Sequence, residues 1–230
     1  MTYSQHAPIE VLETLLRSRF SCRGFRSDAV PHETIERILN AAQRTPSWCN
    51  SQPWQVIVTE GEGTERLRRE LTEAARSGSP NSADFAFPRE YQGVYDQRRK
   101  ESGFQLYTAL GIARGDKAAY GKQMLENFCF FGAPHVAIIT TEEALGIYGA
   151  IDCGAYVTNF MNAAHALGVG AIAQAALAAR TATIREHFGL PAERKVVCGI
   201  SFGFIDPDHP ANSFRTARAS LGETVRFVTE

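Results

Sequence analysis

The segment Pro46-Ser47-Trp48-Cys49-Asn50-Ser51-Gln52-Pro53-Trp54 constrains this chain more than any other. Proline at each end keeps a helix from running through it. Upstream, Ile35, Ile38, Leu39 and Ala42 have the spacing of an amphipathic helix that ends near Arg44. Downstream, Val56-Ile57-Val58-Thr59 is β-branched throughout and predicts a buried strand. The expected geometry is therefore helix, rigid polar loop, strand. The amides of Asn50 and Gln52 could reach the edge of a flat polar ring, and the indoles of Trp48 and Trp54 could cover its face. The same composition also fits a proline-punctuated connector with core tryptophans.

A second cluster precedes it. Ile9, Leu12, Leu15 and Leu16 predict a first helix, which runs into Arg17-Ser18-Arg19-Phe20-Ser21-Cys22-Arg23-Gly24-Phe25. If this piece is helical, Arg19 and Arg23 share a face at i, i+4. If it is extended, Arg19, Ser21 and Arg23 share one at i, i+2, i+4. Both geometries converge two guanidiniums, and bidentate donors suit a phosphate dianion. Alternatively the pair is exposed at a helix end and favoured by the helix dipole.

Composition excludes several functions. A chain of 230 residues with 44% hydrophobic content can bury a full core as one domain. The net charge of −1 and the lack of a basic block argue against nucleic acid. No apolar run approaches the roughly 20 residues that span a bilayer. Met1 to His6 lacks the charged and apolar regions of a leader peptide. Cys22, Cys49, Cys129, Cys153 and Cys198 are odd in number and have no C-x-x-C spacing, which predicts free thiols in a reducing cytoplasm. The histidines form no metal-binding pattern, so no metal site is expected.

The remaining chain alternates helices with short apolar strands. Helices are expected near 64–76, 149–167 and 181–188, and strands at 134–141, 171–176 and 195–205. In the 149–167 helix the apolar side is read as Ile151, Ala155, Phe160, Met161, Ala164 and Leu167. Residues 83–131 form an aromatic excursion interleaved with Arg89, Arg98, Arg99 and Lys100. It is read as a lid over an aromatic substrate, with Phe104, Tyr107, Phe128 and Phe131 as its contacts, or else as a satellite helix layer. Gln174 carries the one hydrogen-bonding side chain in its turn, so its backbone and amide are open to a ligand. Residues 219–230 read as a terminal arm. These elements indicate an α+β or α/β domain spanning 1–230. No Rossmann fingerprint, P-loop or nucleophile elbow is present, which leaves the chemistry to a bound cofactor.

Arg19 to Phe25, Pro46 to Trp54, the 149–176 block, Gly203-Phe204-Ile205-Asp206-Pro207 and Phe214-Arg215-Thr216-Ala217-Arg218 together resemble the FMN-dependent nitroreductase family. The 83–131 excursion is similar to that of the subgroup reducing nitroaromatic compounds. The resemblance implies an α/β sandwich with a central mixed sheet surrounded by helices, in an intertwined homodimer whose C-terminal arms wrap the partner. It implies FMN at each subunit interface, NAD(P)H as reductant, and a ping-pong reaction with a nitroaromatic or quinone acceptor. Arg19, Ser21 and Arg218 would hold the phosphate, with Phe20 beside them and Arg23 near the polar end of the ring. Asn50 and the backbone of Pro46, Ser47 and Trp48 would reach FMN from the other subunit, with Gln52 nearby. Ala173, Gln174 and Ala175 would line the ring. Thr216 stands where some members carry lysine, and Trp48 replaces a small residue. Reductive dehalogenation, ene-reduction and flavin storage are the alternatives within the fold.

Overall fold

β-branched runs and glycine stops divide the chain into helices packed on both faces of one sheet. The structure, a computed structural model, describes residues 7–230. Met1 to His6, where a leader peptide was judged absent, lie outside the described residues. In order come α1 (Pro8–Ser18), α2 (His32–Ala42), β1 (Gln55–Thr59), α3 (Glu62–Arg76), α4 (Gly93–Ala109) and α5 (Lys117–Leu125). They are followed by β2 (His135–Glu142), α6 (Gly146–Ala166), β3 (Val169–Gln174), α7 (Ala175–Ala178), α8 (Thr181–Phe188), β4 (Arg194–Phe204) and α9 (Leu221–Thr224).

The strands lie in the order β1-β2-β4-β3, each pair antiparallel. The parallel component of the expected mixed sheet is a single bridge between Ser21 and Ala171 on the outer edge of β3. Side chains alternate across each strand, so β2 feeds two cores. Ala137 and Ile139 face a layer built from Ile35 and Ile38 of α2 and Tyr156 and Phe160 of α6. Val136 and Ile138 face Leu67 and Leu71 of α3 and Ile184 of α8. This is the α/β sandwich that the family resemblance implies.

Helix α6 corrects one detail. Its buried face is Cys153, Tyr156, Val157, Phe160 and Ala164, whereas Ile151 is 57% exposed. The small residues around it blur the periodicity, so the sequence does not separate the core stripe from a second apolar stripe. Ile147, Tyr148 and Ile151 form that outward stripe, and Ile9, Leu12 and Leu16 of α1 and Phe227 and Val228 of the terminal arm are exposed as well. Among the described residues no helix is long and apolar enough to cross a membrane.

His135 links the sheet to the loop before α2. Its ring accepts the Val30 N–H at Nε2 (2.9 Å) and contacts the Thr59 carbonyl through Nδ1 (3.2 Å). Nδ1 is therefore the protonated nitrogen of a neutral ring. Burial holds its pKa below the ordinary 6.5, against weaker opposing effects of the Thr59 carbonyl and Glu60. The unfolded chain thus takes up this proton first. The stabilisation is complete above about pH 6.5 and is lost as pH falls through the folded value. Urea midpoints measured from pH 7.5 to 5 should fall less steeply for His135→Gln than for the parent. Equal slopes would remove His135 from the acid response.

Candidate active site

Helix α1 ends because Arg19 adopts extended backbone angles (φ −65°, ψ 136°) after its N–H bonds Leu15 O. The chain then runs extended along β3, with the Cys22 N–H donating to Ala171 O at 3.2 Å. This settles the two open geometries in favour of i, i+2, i+4, and Arg19, Ser21 and Arg23 all line one cavity of about 510 Å³. The opposite wall is the C-terminal segment carrying Phe214, Arg215, Thr216 and Arg218, and Ser102 of α4 adds a hydroxyl.

The electrostatics of this cavity are one-sided. Arg17, on its rim, pairs with Glu13 at 2.9 Å. Among the described residues Arg19, Arg23, Arg215 and Arg218 have no carboxylate partner; Arg218 and Arg215 turn donors to backbone carbonyls of their own segment. Burial and then the nearby Arg218 lower the pKa of Arg19, and burial lowers that of Arg23. His165 is lowered by burial and by Arg19 and Arg215. Phe20 lies under the Arg215 guanidinium at 3.7 Å, and Phe131 lies 5.9 Å from that of Arg23. A group of like charges, partly buried at Arg19 and Arg23 and exposed at Arg215 and Arg218, faced with aromatic rings and lacking a carboxylate partner among the described residues, suits an anion. Beyond the Ser21 bridge the outer edge of β3 is uncovered at Ala173, which is exposed, as is Ala175 at the start of α7, so the backbone polar groups of that edge are free to meet a ligand.

The proline-bracketed loop is a tight 3₁₀ turn at Trp48–Asn50. Cys49, Asn50 and Gln52 take left-handed φ angles of 52°, 55° and 47°. Such backbone strain persists only where neighbours over-determine it. Here the Trp48 N–H donates to Asp152 on α6 (3.1 Å), the Gln52 N–H to Ser47 Oγ (2.9 Å), and Gln43 to the Gln52 amide (3.0 Å). Trp48 is 58% exposed and meets Tyr148 edge-on. Trp48, Cys49 and Ser51 line their own cavity of about 310 Å³ with Leu145, Tyr148 and Asp152. Within one chain the loop and the arginines therefore line separate cavities.

A sequence model of the Nitroreductase family matches residues 16–204. The chain belongs to this family. It is 37% identical over 220 residues to the nitroreductase NfnB of Mycolicibacterium smegmatis, covering 95% of this chain and 93% of that protein. It is 33% identical over 222 residues to a nitrobenzene nitroreductase of Ectopseudomonas oleovorans, covering 95% and 97%. The solved structure of the FMN-dependent NfnB from Mycobacterium smegmatis in complex with NADPH superposes with a TM-score of 0.92 at 36% identity, covering 97% of this chain and 100% of that one.

Three sequence expectations about this nitroreductase's site need correction. Trp54 does not face a ligand: it is 6% exposed, stacked on Tyr156 and donating to Gln43 Oε1. The Gln174 amide is already engaged, donating to Asn127 O at 2.8 Å and accepting from Ser201, and the residue is buried against β4. The four aromatics read as one lid belong to different places. Phe104 and Tyr107 sit half-buried on α4, stacked on Arg114 and Tyr120. Phe128 is in the α3–α8 core under Arg180, and Phe131 is buried beside Arg23 at φ 52°. The excursion therefore returns to the protein body before residue 128. Ser102 and Arg215 were missed as lining residues. Arg215 was legible in the Phe214–Arg218 motif, but Ser102 lies on a helix whose sequence shows no single apolar face.

Three of the cysteines are poorly suited to act as nucleophiles. Burial pushes Cys22 and Cys153 up to about 11 and Cys198 up to about 12, so all three stay protonated at neutral pH. Among the described residues no cluster could hold a metal ion.

The two aromatic groups should separate by experiment. Phe128→Ala should lose about 3–5 kcal/mol of unfolding free energy, as core aromatic truncations do. Phe104→Ala and Tyr107→Ala should unfold near the parent and instead raise the KM for a nitroaromatic acceptor. A Phe128→Ala protein that unfolds like the parent would return that ring to the substrate.

Proposed function

We propose that this chain is an FMN-dependent oxidoreductase that uses NAD(P)H to reduce nitroaromatic compounds or quinones. The observation that carries the proposal is the cavity in which four arginines converge without a carboxylate. FMN fits it: a phosphate dianion supplies the missing charge, and the uncovered β3 edge adjoining the same loop offers backbone groups to a flat ring. When bound, FMN supplies the hydride chemistry, accepting from NAD(P)H and delivering to the acceptor.

The chain's own residues then have distinct tasks. Arg19, Ser21 and Arg218 hold the phosphate, and Arg215 presses on Phe20 to close that wall. Arg23 would stand near the polar end of the ring as a donor to negative charge there, and its partial desolvation would strengthen that interaction relative to water. The backbone of Ala173, Gln174 and Ala175 fixes the ring edge. Pro46, Ser47, Trp48 and Asn50 complete the site from a second copy of the chain, which accounts for a strained, exposed loop far from the arginines. The exposed apolar stripes on α1, α6 and the arm are the surfaces of that homodimer. On this reading NAD(P)H and acceptor use the same cleft, in turn. The free cysteines accord with a reducing compartment such as the cytoplasm.

A hydrogen bond to a charged group contributes about 1.5–3 kcal/mol. Arg19→Ala or Arg218→Ala should therefore weaken FMN binding roughly 10- to 150-fold while leaving riboflavin, which lacks the phosphate, nearly unchanged. Initial-rate lines against a nitroaromatic acceptor at several NADPH concentrations should be parallel. Intersecting lines would contradict the shared cleft, and equal losses of both flavins would make the arginines structural.

A further inference from the structure

Asn212 is 6% exposed and lies outside every motif that identifies the site, yet its side chain ties together the three segments behind the cavity. Its Oδ1 accepts the Arg23 N–H at 2.8 Å. Its Nδ2 donates to Gly24 O and to Asp206 O, each at 2.8 Å. Its own carbonyl accepts from Arg215 Nη1 at 2.7 Å, and Arg215 in turn lies on Phe20. One amide thus uses its acceptor and both donors on the loop carrying Arg19, Ser21 and Arg23 and on the turn after β4, while its carbonyl anchors the segment that ends in Arg218. The approach is close enough to demand glycine: a Cβ on Gly24 would come within 2.2 Å of His209 Cγ.

We propose that Asn212 is a positioning residue for the anion cavity, holding the Arg19–Arg23 loop and the Arg215–Arg218 segment at the separation a phosphate requires. The proposal rests on the reading of that cavity as the flavin phosphate site. The need for such a tie follows from charge. Arg19 and Arg218 carry like charges on the walls of one cavity, so the walls would part before a ligand arrives unless something neutral and directional joins them. An amide does this where a carboxylate would not, because a carboxylate would itself neutralise the guanidiniums and compete with the ligand. Buried, fully bonded polar groups of this kind specify geometry, since each bond lost leaves a backbone group unpaired. Asn212 touches neither flavin nor substrate in this scheme and acts only through the arginines.

The test compares FMN and riboflavin binding to the full chain, stripped of flavin, by fluorescence titration. Asn212→Ala should weaken FMN roughly 10- to 100-fold, the range found when outer groups that orient binding ligands are removed. Riboflavin should change less than about threefold. Asn212→Ser, which retains a small polar group, should fall between and keeps the test available if the alanine variant does not fold. Combining Asn212→Ala with Arg218→Ala should weaken FMN by less than the product of the single effects, since both act on one contact. Equal weakening of FMN and riboflavin would make Asn212 a general structural residue and overturn the proposal. So would unchanged FMN binding in the Asn212 variants while Arg218→Ala still weakens it. If Arg218→Ala itself leaves FMN unaffected, the phosphate assignment fails, and the positioning role fails with it.

Discussion

Mutual repulsion among guanidinium groups is the constraint on which the rest of this site depends. Arg19, Arg23, Arg215 and Arg218 approach one cavity from two segments almost 200 residues apart in sequence, and among the described residues no carboxylate answers them. At a surface with effective dielectric near 20, two such charges a few ångströms apart oppose each other by several kcal/mol before screening. The fold offsets this with neutral contacts: aromatic faces at Phe20 and Phe131 and the amide of Asn212. What remains is an unmet positive charge, which is a binding property.

The sheet provides the frame that makes this possible. β3 lies at the edge of the sheet, beside β4. Its inner side is spent on the ladder, and its outer side takes the Arg19–Arg23 loop at Ser21 before opening at Ala173. Docking that loop requires Gly170, because a Cβ there would lie 2.6 Å from Ile205 Cγ1 and 3.0 Å from Cys22 Sγ. The strained Trp48–Gln52 loop is held by α6 through Asp152, so a helix that faces the core also fixes an exposed loop. Core packing and site geometry are coupled through the same few elements.

Much of this was legible in the chain itself. The helix–loop–strand around Pro46–Trp54 and the strand at 134–141 follow from proline placement and β-branching; the convergence of Arg19 and Arg23 follows from either of two spacings, of which the extended one is present. The failures share a cause. Trp54, Gln174, Phe128 and Phe131 have chemistry that suits either a ligand or the interior, and only tertiary contacts decide: Tyr156 and Gln43 claim Trp54, Asn127 and Ser201 claim Gln174. Ile151 was misplaced because α6 carries two apolar stripes, one for the core and one facing outward. Asn212 gave no signal at all, since a lone asparagine after Pro210 reads as an ordinary turn residue.

The most direct measurement is a crystal structure of the flavin-loaded protein, with the phosphorus position as the quantity of interest. It should lie in the cavity between Arg19, Ser21 and Arg218, with the ring edge against the backbone of Ala173 to Ala175 and the Trp48–Asn50 loop of a second copy across the ring. A phosphate bound elsewhere, with solvent filling the cavity between Arg19 and Arg218, would contradict this placement.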